Sequence, residues 1–130
     1  MEIEIFTLCD FAQDTNGKLT IVGTFDSIHS KQFPCTHPAC TVAARLRFAE
    51  KEAGPHDMRL RFIDADGNEL MKPVEGQINI AKPRNGQFST VNLVFNFNQL
   101  KFEKTGRYSF ELYIDDDWKS GLPLFLNNIT

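Results

Sequence analysis

The sequence predicts an all-β domain, an antiparallel two-sheet sandwich of seven or eight strands, and three observations lead there. Apolar and polar residues alternate with a period of two in one segment after another, as strands with one buried and one wet face require. Turn chemistry separates these segments at intervals of about a dozen residues. No window carries a convincing helical stripe, and no repeat, linker or low-complexity tract divides the 130 residues, so they read as one domain, 1–130.

Residues 2–12 and 18–28 read as the first two strands. Asp14-Thr15-Asn16-Gly17 joins them, and Asn-Gly tolerates the positive φ of a tight hairpin turn. Residues 29–38, with Pro34 and Pro38 and little periodicity, read as an irregular connection that crosses between sheets. In 40–49, Val42, Ala44, Leu46 and Phe48 share one face, and Arg45 and Arg47 share the other. After a turn at 51–55, Met58, Leu60 and Phe62 alternate with Arg59 and Arg61. Asp64-Ala65-Asp66-Gly67-Asn68 turns the chain into a strand from Glu69 to about Ala81, which Pro73 and Gly76 must bend or bulge. Asn85-Gly86 leads into the clearest strand, with Val91, Leu93, Phe95 and Phe97 on one face and Asn92, Asn96 and Asn98 on the other. Tyr108, Phe110, Leu112 and Ile114 form an inward row, and Asp115-Asp116-Asp117 turns into a closing strand at 119–126.

Leu100 followed by Thr105-Gly106-Arg107-Tyr108-Ser109-Phe110 resembles the tyrosine corner of immunoglobulin-like sandwiches. In that corner a Tyr two residues before a core position ties its hydroxyl back to the chain upstream. Phe110 stands where antibody domains place a cysteine. This resemblance selects an immunoglobulin-like sandwich over a barrel and implies nothing about function. A wider one rests on Cys9-Asp10-Phe11-Ala12, on Gly17-Lys18-Leu19-Thr20-Ile21-Val22-Gly23-Thr24-Phe25 and on Val42-Ala43-Ala44-Arg45-Leu46. These stretches resemble a family of short bacterial proteins known only as a domain of unknown function. The resemblance implies a compact β-sandwich and carries no activity.

The net charge of −3 and pI near 5.6 speak against a phosphate-binding surface, so nucleic acid is not an expected partner. Acidic residues at the start, where a signal peptide needs basic ones, and the lack of a long apolar run point to a cytoplasmic protein without a membrane partner. Cys9, Cys35 and Cys40 are an odd number of thiols, in keeping with a reducing compartment.

Candidate chemistry is sparse. Cys35, His37 and Cys40 offer three donors that zinc favours, with His29 upstream, but paired C-x-x-C knuckles are missing. Cys40 also opens an alternating strand, where it reads as a small core residue. The expectation is no cofactor, with zinc on these four residues as the alternative. Residues 64–69 resemble the start of a calcium loop with Glu75 at the twelfth position, yet strands flank them and Asp-Gly reads as hairpin chemistry. Asp115, Asp116 and Asp117 fall at the opposite end of the domain by strand counting and cannot share an ion with that loop.

Arg45, Arg47, Arg59 and Arg61 are expected on neighbouring strands joined through Gly54-Pro55. Like charges across strands are unfavourable. Glu69, Glu75 or Glu111 is expected to neutralise them, with an anionic ligand or an acidic partner surface as the alternative. Trp118 reads as packing back over its own hairpin, and an exposed Trp there would anchor a partner. The row Asn92, Asn96, Asn98 with Gln99 reads as solvated surface, with an interface or carbohydrate-reading face as the alternative. No nucleophile elbow, P-loop or dinucleotide fingerprint is present. The sequence therefore points away from an enzyme and towards a binding or assembly module that uses its sheet faces or edge strands on a protein, including another copy of itself. A small metal- or cysteine-dependent enzyme centred on 29–40 is the alternative.

Overall fold

The computed structural model describes residues 1–129, and among them nine strands form two facing sheets. In chain order they are β1 (Glu2–Thr15), β2 (Lys18–Thr24), β3 (Ser27–Ser30), β4 (Cys35–Phe48), β5 (Gly54–Ile63), β6 (Val74–Ile80), β7 (Ser89–Phe102), β8 (Gly106–Ile114) and β9 (Asp117–Asn128). The four-stranded sheet runs β2-β1-β4-β7 and the five-stranded sheet β3-β9-β8-β5-β6. No helix among the described residues is long and apolar enough to cross a membrane.

The alternation read from the sequence supplies the core. Val42, Ala44, Leu46 and Phe48 face Leu60, Phe62, Phe110, Leu112 and Leu124 across the sandwich, all buried. Phe97 points inward with them, but Gln99 adopts φ 56° and reverses the faces of β7, so that Leu100 and Phe102 also enter the core. The Tyr108 hydroxyl donates to the Lys104 carbonyl at 2.6 Å, which forms the expected corner at the start of β8.

Three expectations need correction. The segment 18–28 is two strands rather than one. The chain leaves the four-stranded sheet after Thr24, and Ser27–Ser30 joins the other sheet parallel to β9, so the strands number nine and one pair is not antiparallel. The crossing between sheets therefore falls at residues 25–26 and again at 31–34, and β4 starts at Cys35 rather than 40. Pro38 fits inside β4 because β1 pairs with β4 only as far as Cys9 opposite Thr41, which leaves the Pro38 stretch with β7 on one side and no ladder on the other. Finally, Pro73 ends the proposed 69–81 strand instead of bending it. Glu69 makes one isolated bridge to Ile63, and β6 begins only at Val74.

Beyond Cys9, β1 pairs with β2 alone, and this hairpin folds over the outer face of the four-stranded sheet. Ala12, Leu19 and Ile21 pack there against Cys9, Ala43 and Val94 as a second small core. Its turn is held by side chains of that face. Arg45 Nη1 and Asn92 Nδ2 donate to the Gly17 carbonyl at 3.2 and 3.1 Å, and Asn92 Nδ2 also donates to Asp14 at 2.7 Å.

The β8–β9 turn is fastened to the start of β5. Asp115 and Asp57 exchange backbone and side-chain hydrogen bonds at 2.8 and 2.9 Å. His56 Nδ1 lies 2.6 Å from Asp115 Oδ2, and its Nε2 lies 2.6 Å from the Glu52 carbonyl. Both partners are acceptors, so the ring makes both bonds only as imidazolium. The Glu52 carbonyl, then the Asp115 carboxylate, raise the His56 pKa above its usual value. The His56 bond, then the Asp57 amide, lower that of Asp115.

The linkage gives a pH window. A raised folded pKa for His56 contributes stability below its unfolded value and loses it as pH rises through the folded value. A lowered Asp115 contributes above its unfolded value and loses it as pH falls. The clasp is complete between roughly pH 3.9 and 6.5. Thermal melts of wild-type protein should decline above that window, and His56→Gln should flatten the decline; parallel curves would show that the clasp does not form. Tyr108→Phe should cost about 1 kcal/mol in urea denaturation, since the Lys104 carbonyl loses its donor.

Candidate functional site

The outer face of the five-stranded sheet gathers residues that strand parity turns away from the core. Arg59 lies opposite Tyr113, Arg61 opposite Glu111, Glu111 opposite Gly121, and Tyr113 opposite Trp118. The Arg59 guanidinium sits 4.5 Å from the Tyr113 ring centre and that of Arg61 5.9 Å from it. Arg61 donates to Glu69 at 2.7 Å and to the Tyr113 hydroxyl at 3.2 Å, and Arg59 pairs with Asp116 at 3.3 Å. The Trp118 indole N–H donates to Glu111 at 2.8 Å, and Ser109 donates to the other oxygen of that carboxylate at 3.0 Å.

These bonds engage much of the polar edge of the face, although the buried Arg59 Nε has no partner among the described residues. The Tyr113 ring is covered by the two guanidinium groups, while Trp118 keeps its ring in solvent. Trp118 is 58 % exposed and Phe125, beside Arg107, is 40 % exposed. Trp, Tyr and Arg are the residues that dominate binding energy at protein interfaces, because each combines a large contact area with directional polar groups. Here hydrogen bonds and ring contacts hold them in one orientation, and side chains fixed in this way carry a lower ordering cost in any contact they make. A cavity of about 210 Å³ opens beside the stripe between β5 and β6, with Arg59, Glu75 and Asp116 in its lining.

The structure separates the four arginines that the sequence reading made neighbours. The chain between β4 and β5 makes a 3-10 turn at Glu50–Glu52 and passes Gly54 at φ 117°, so β5 enters the opposite sheet instead of pairing with β4. Arg45 and Arg47 lie on the outer face of the four-stranded sheet, where Glu4 pairs with them at 2.9 and 3.5 Å. Internal neutralisation holds for Arg61 with Glu69. Glu75 and Glu111 form no ion pair with these arginines, and Glu111 serves Trp118 instead.

The 29–40 residues are spread apart. Cys40 is buried in the core, which pushes its thiol up to about 11, and burial also raises Cys9. Cys35 packs half-buried at the core margin. His29 and His37 line a groove of about 470 Å³ with Asp10, Phe25 and Ile28, and the His37 ring lies 5.8 Å from that of Phe25. Among the described residues no three His, Cys, Asp or Glu side chains are grouped closely enough to hold a metal ion. Asp64 spends its carboxylate on the Asp66 and Asn68 amides of its own turn, at the opposite end of β5 from Asp115. Asn92 and Asn96 are bonded within the domain, to the β1–β2 turn and to Thr41.

Tyr113 and Phe125 were missed by the sequence reading. The signal was available: once Tyr108, Phe110, Leu112 and Ile114 point inward, Ser109, Glu111 and Tyr113 must point outward. Fold and face together define a two-sheet β-sandwich domain with an aromatic–arginine outer surface. The chain belongs to the family of unknown function DUF6941, which matches residues 4–127. No curated protein matches it.

Gly121 keeps this face in register. A Cβ at that position would lie against the Glu111 carboxylate, so only Gly lets Glu111 reach Trp118. Gly121→Ala should displace the flexible end of Glu111 at a stability cost of about 1 kcal/mol or less and shift the emission of Trp118, the one tryptophan of the chain. An unchanged spectrum would mean that the Glu111 bond does not hold the indole.

Proposed function

We propose that this domain is a non-catalytic protein-binding module that engages its partner through the outer face of the five-stranded sheet. The observation that carries the reading is the half-exposed Trp118 fixed by Glu111 beside Tyr113, with Arg59 and Arg61 stacked alongside. Such a face suits a protein surface whose apolar centre covers Trp118 and whose rim is polar, since the arginines already hold their counter-ions within the domain. The raised thiols of Cys9 and Cys40 favour this reading over a cysteine-dependent enzyme, whose nucleophile needs a lowered pKa. Two buried, unpaired thiols also fit a reducing, cytoplasmic setting.

Strand order supports the immunoglobulin-like assignment. With β2 and β3 set aside as an insertion, β1, β4 and β7 follow the A-B-E order, and β9, β8, β5 and β6 follow G-F-C-C′. The tyrosine corner then falls at the start of strand F, as it does in those domains.

A photo-crosslinking side chain placed at Trp118 in the native host should trap one discrete protein, and one placed at Asn98 on the other sheet should not trap it. Arg61→Ala with Trp118→Ala should weaken binding of that protein by about a hundredfold, as loss of two interface anchors does. Equal trapping from both faces, or unchanged affinity in the double variant, would overturn the assignment.

A further inference from the structure

A β-strand at a sheet edge presents unpaired N–H and C=O groups that recruit other strands, and stable proteins blunt such edges with charge, proline, bulges or short length. Most edges of this sandwich carry those devices. β3 spans only Ser27–Ser30. β6 is short, follows Pro73 and includes Glu75. The open half of β1 bears Glu2 and Glu4 and an irregularity between Ile3 and Ile5. The open side of β9 carries Asp117, Lys119 and Pro123.

β7 has none of them over most of its length. It is 14 residues long, it pairs with β4 on one side, and among the described residues no strand pairs with the other. Residues 89–100 contain neither a charged side chain nor a proline. The first interruption is Gln99, near the far end. Val91, Leu93 and Phe95 point towards the sandwich interior yet remain only partly buried, so an apolar rim accompanies the open backbone. A long, uncharged, β-branched and aromatic edge is an aggregation hazard unless something covers it.

We propose that this edge is covered by β7 of a second copy, antiparallel about a two-fold axis at Val94, so that the two four-stranded sheets become one. The edge is self-complementary in that register. Leu93 lies opposite Phe95 of the second copy and Asn92 opposite its Asn96, so apolar meets apolar and amide meets amide. A charged edge would repel its own copy, whereas this one brings no like charges together over residues 89–100. The β1–β2 hairpin packs on the outer face of this sheet, over Asn92 and Val94, and does not pair with the open backbone of β7.

The register makes the test specific. Thr90 falls opposite Asn98 of the second copy, and both are exposed. Within one chain they are about 26 Å apart, too far to interact. Sedimentation velocity at micromolar concentrations should show a dimer for the wild-type chain. Thr90→Lys with Asn98→Lys sets ammonium against ammonium twice and should weaken the dimer by about tenfold or more. Thr90→Glu with Asn98→Lys sets opposite charges in the same places and should restore it. Circular dichroism of both variants should match wild type, so a change in assembly is not a change in folding. A monomeric wild type, or two double variants that dimerise alike, would overturn the proposal. A monomer that pairs β7 with an added peptide strand would overturn it in favour of a foreign partner.

Discussion

The fold turns on Phe110. Its ring stacks on Phe62 of the neighbouring strand at 4.4 Å and lies 5.2 Å from Phe97 of the opposite sheet. Phe62 in turn meets Phe102 edge-on at 5.9 Å, and Phe102 meets Tyr108 at 5.1 Å. The aromatic cluster therefore ties both sheets together. Each such pair adds roughly 0.5–1.5 kcal/mol beyond the burial of its surface. Because strand parity is fixed at period two, seating Phe110 inward also sends Glu111 and Tyr113 outward. The core constraint and the composition of the exposed face are one decision.

That coupling explains what was legible in the sequence. Segments with one wet face, such as 42–48 and 108–114, announced themselves through alternation, and their inward rows are the observed core. The tyrosine corner was readable because its hydrogen bond is local, between Tyr108 and Lys104. Pairings between distant strands were not readable. Arg45 and Arg59 carry identical signals, and only the backbone path through Gly54 decides that they belong to different sheets. The short β3 was hidden for a similar reason: its partner, residues 125–128, lies almost a whole chain away. His56 gave no signal because both of its partners, the Glu52 carbonyl and Asp115, converge only in the folded state.

The two outer faces start from similar chemistry and end differently. On the four-stranded sheet, Arg45 and Asn92 hold down the β1–β2 hairpin, and Ala43 and Val94 are covered by its apolar residues. That surface is consumed by the fold itself. On the five-stranded sheet the arginines find counter-ions in Asp116 of the β8–β9 turn and in Glu69 and a ring face in Tyr113, and among the described residues no element folds across them. The difference is one of contact area: Trp118 stays 58 % exposed, while Ala43 is fully buried on a face that would otherwise be just as open. Exposed aromatic area is costly to leave in water and is retained where binding covers it.

The face and the edge lie on different sheets, and this has a geometric consequence. Pairing β7 with a second β7 about a two-fold axis keeps the inner faces of both four-stranded sheets on the same side, because the axis is perpendicular to the sheet. Both five-stranded sheets then lie on that side too, each with its aromatic–arginine surface directed away from the seam. Two modest sites held on one rigid platform act at an effective concentration set by their spacing rather than by bulk solution. A repetitive or dimeric partner gains from this arrangement, whereas a monomeric one does not. On the proposed reading, a 130-residue sandwich with one small binding surface reaches strong, selective binding without enlarging the surface itself.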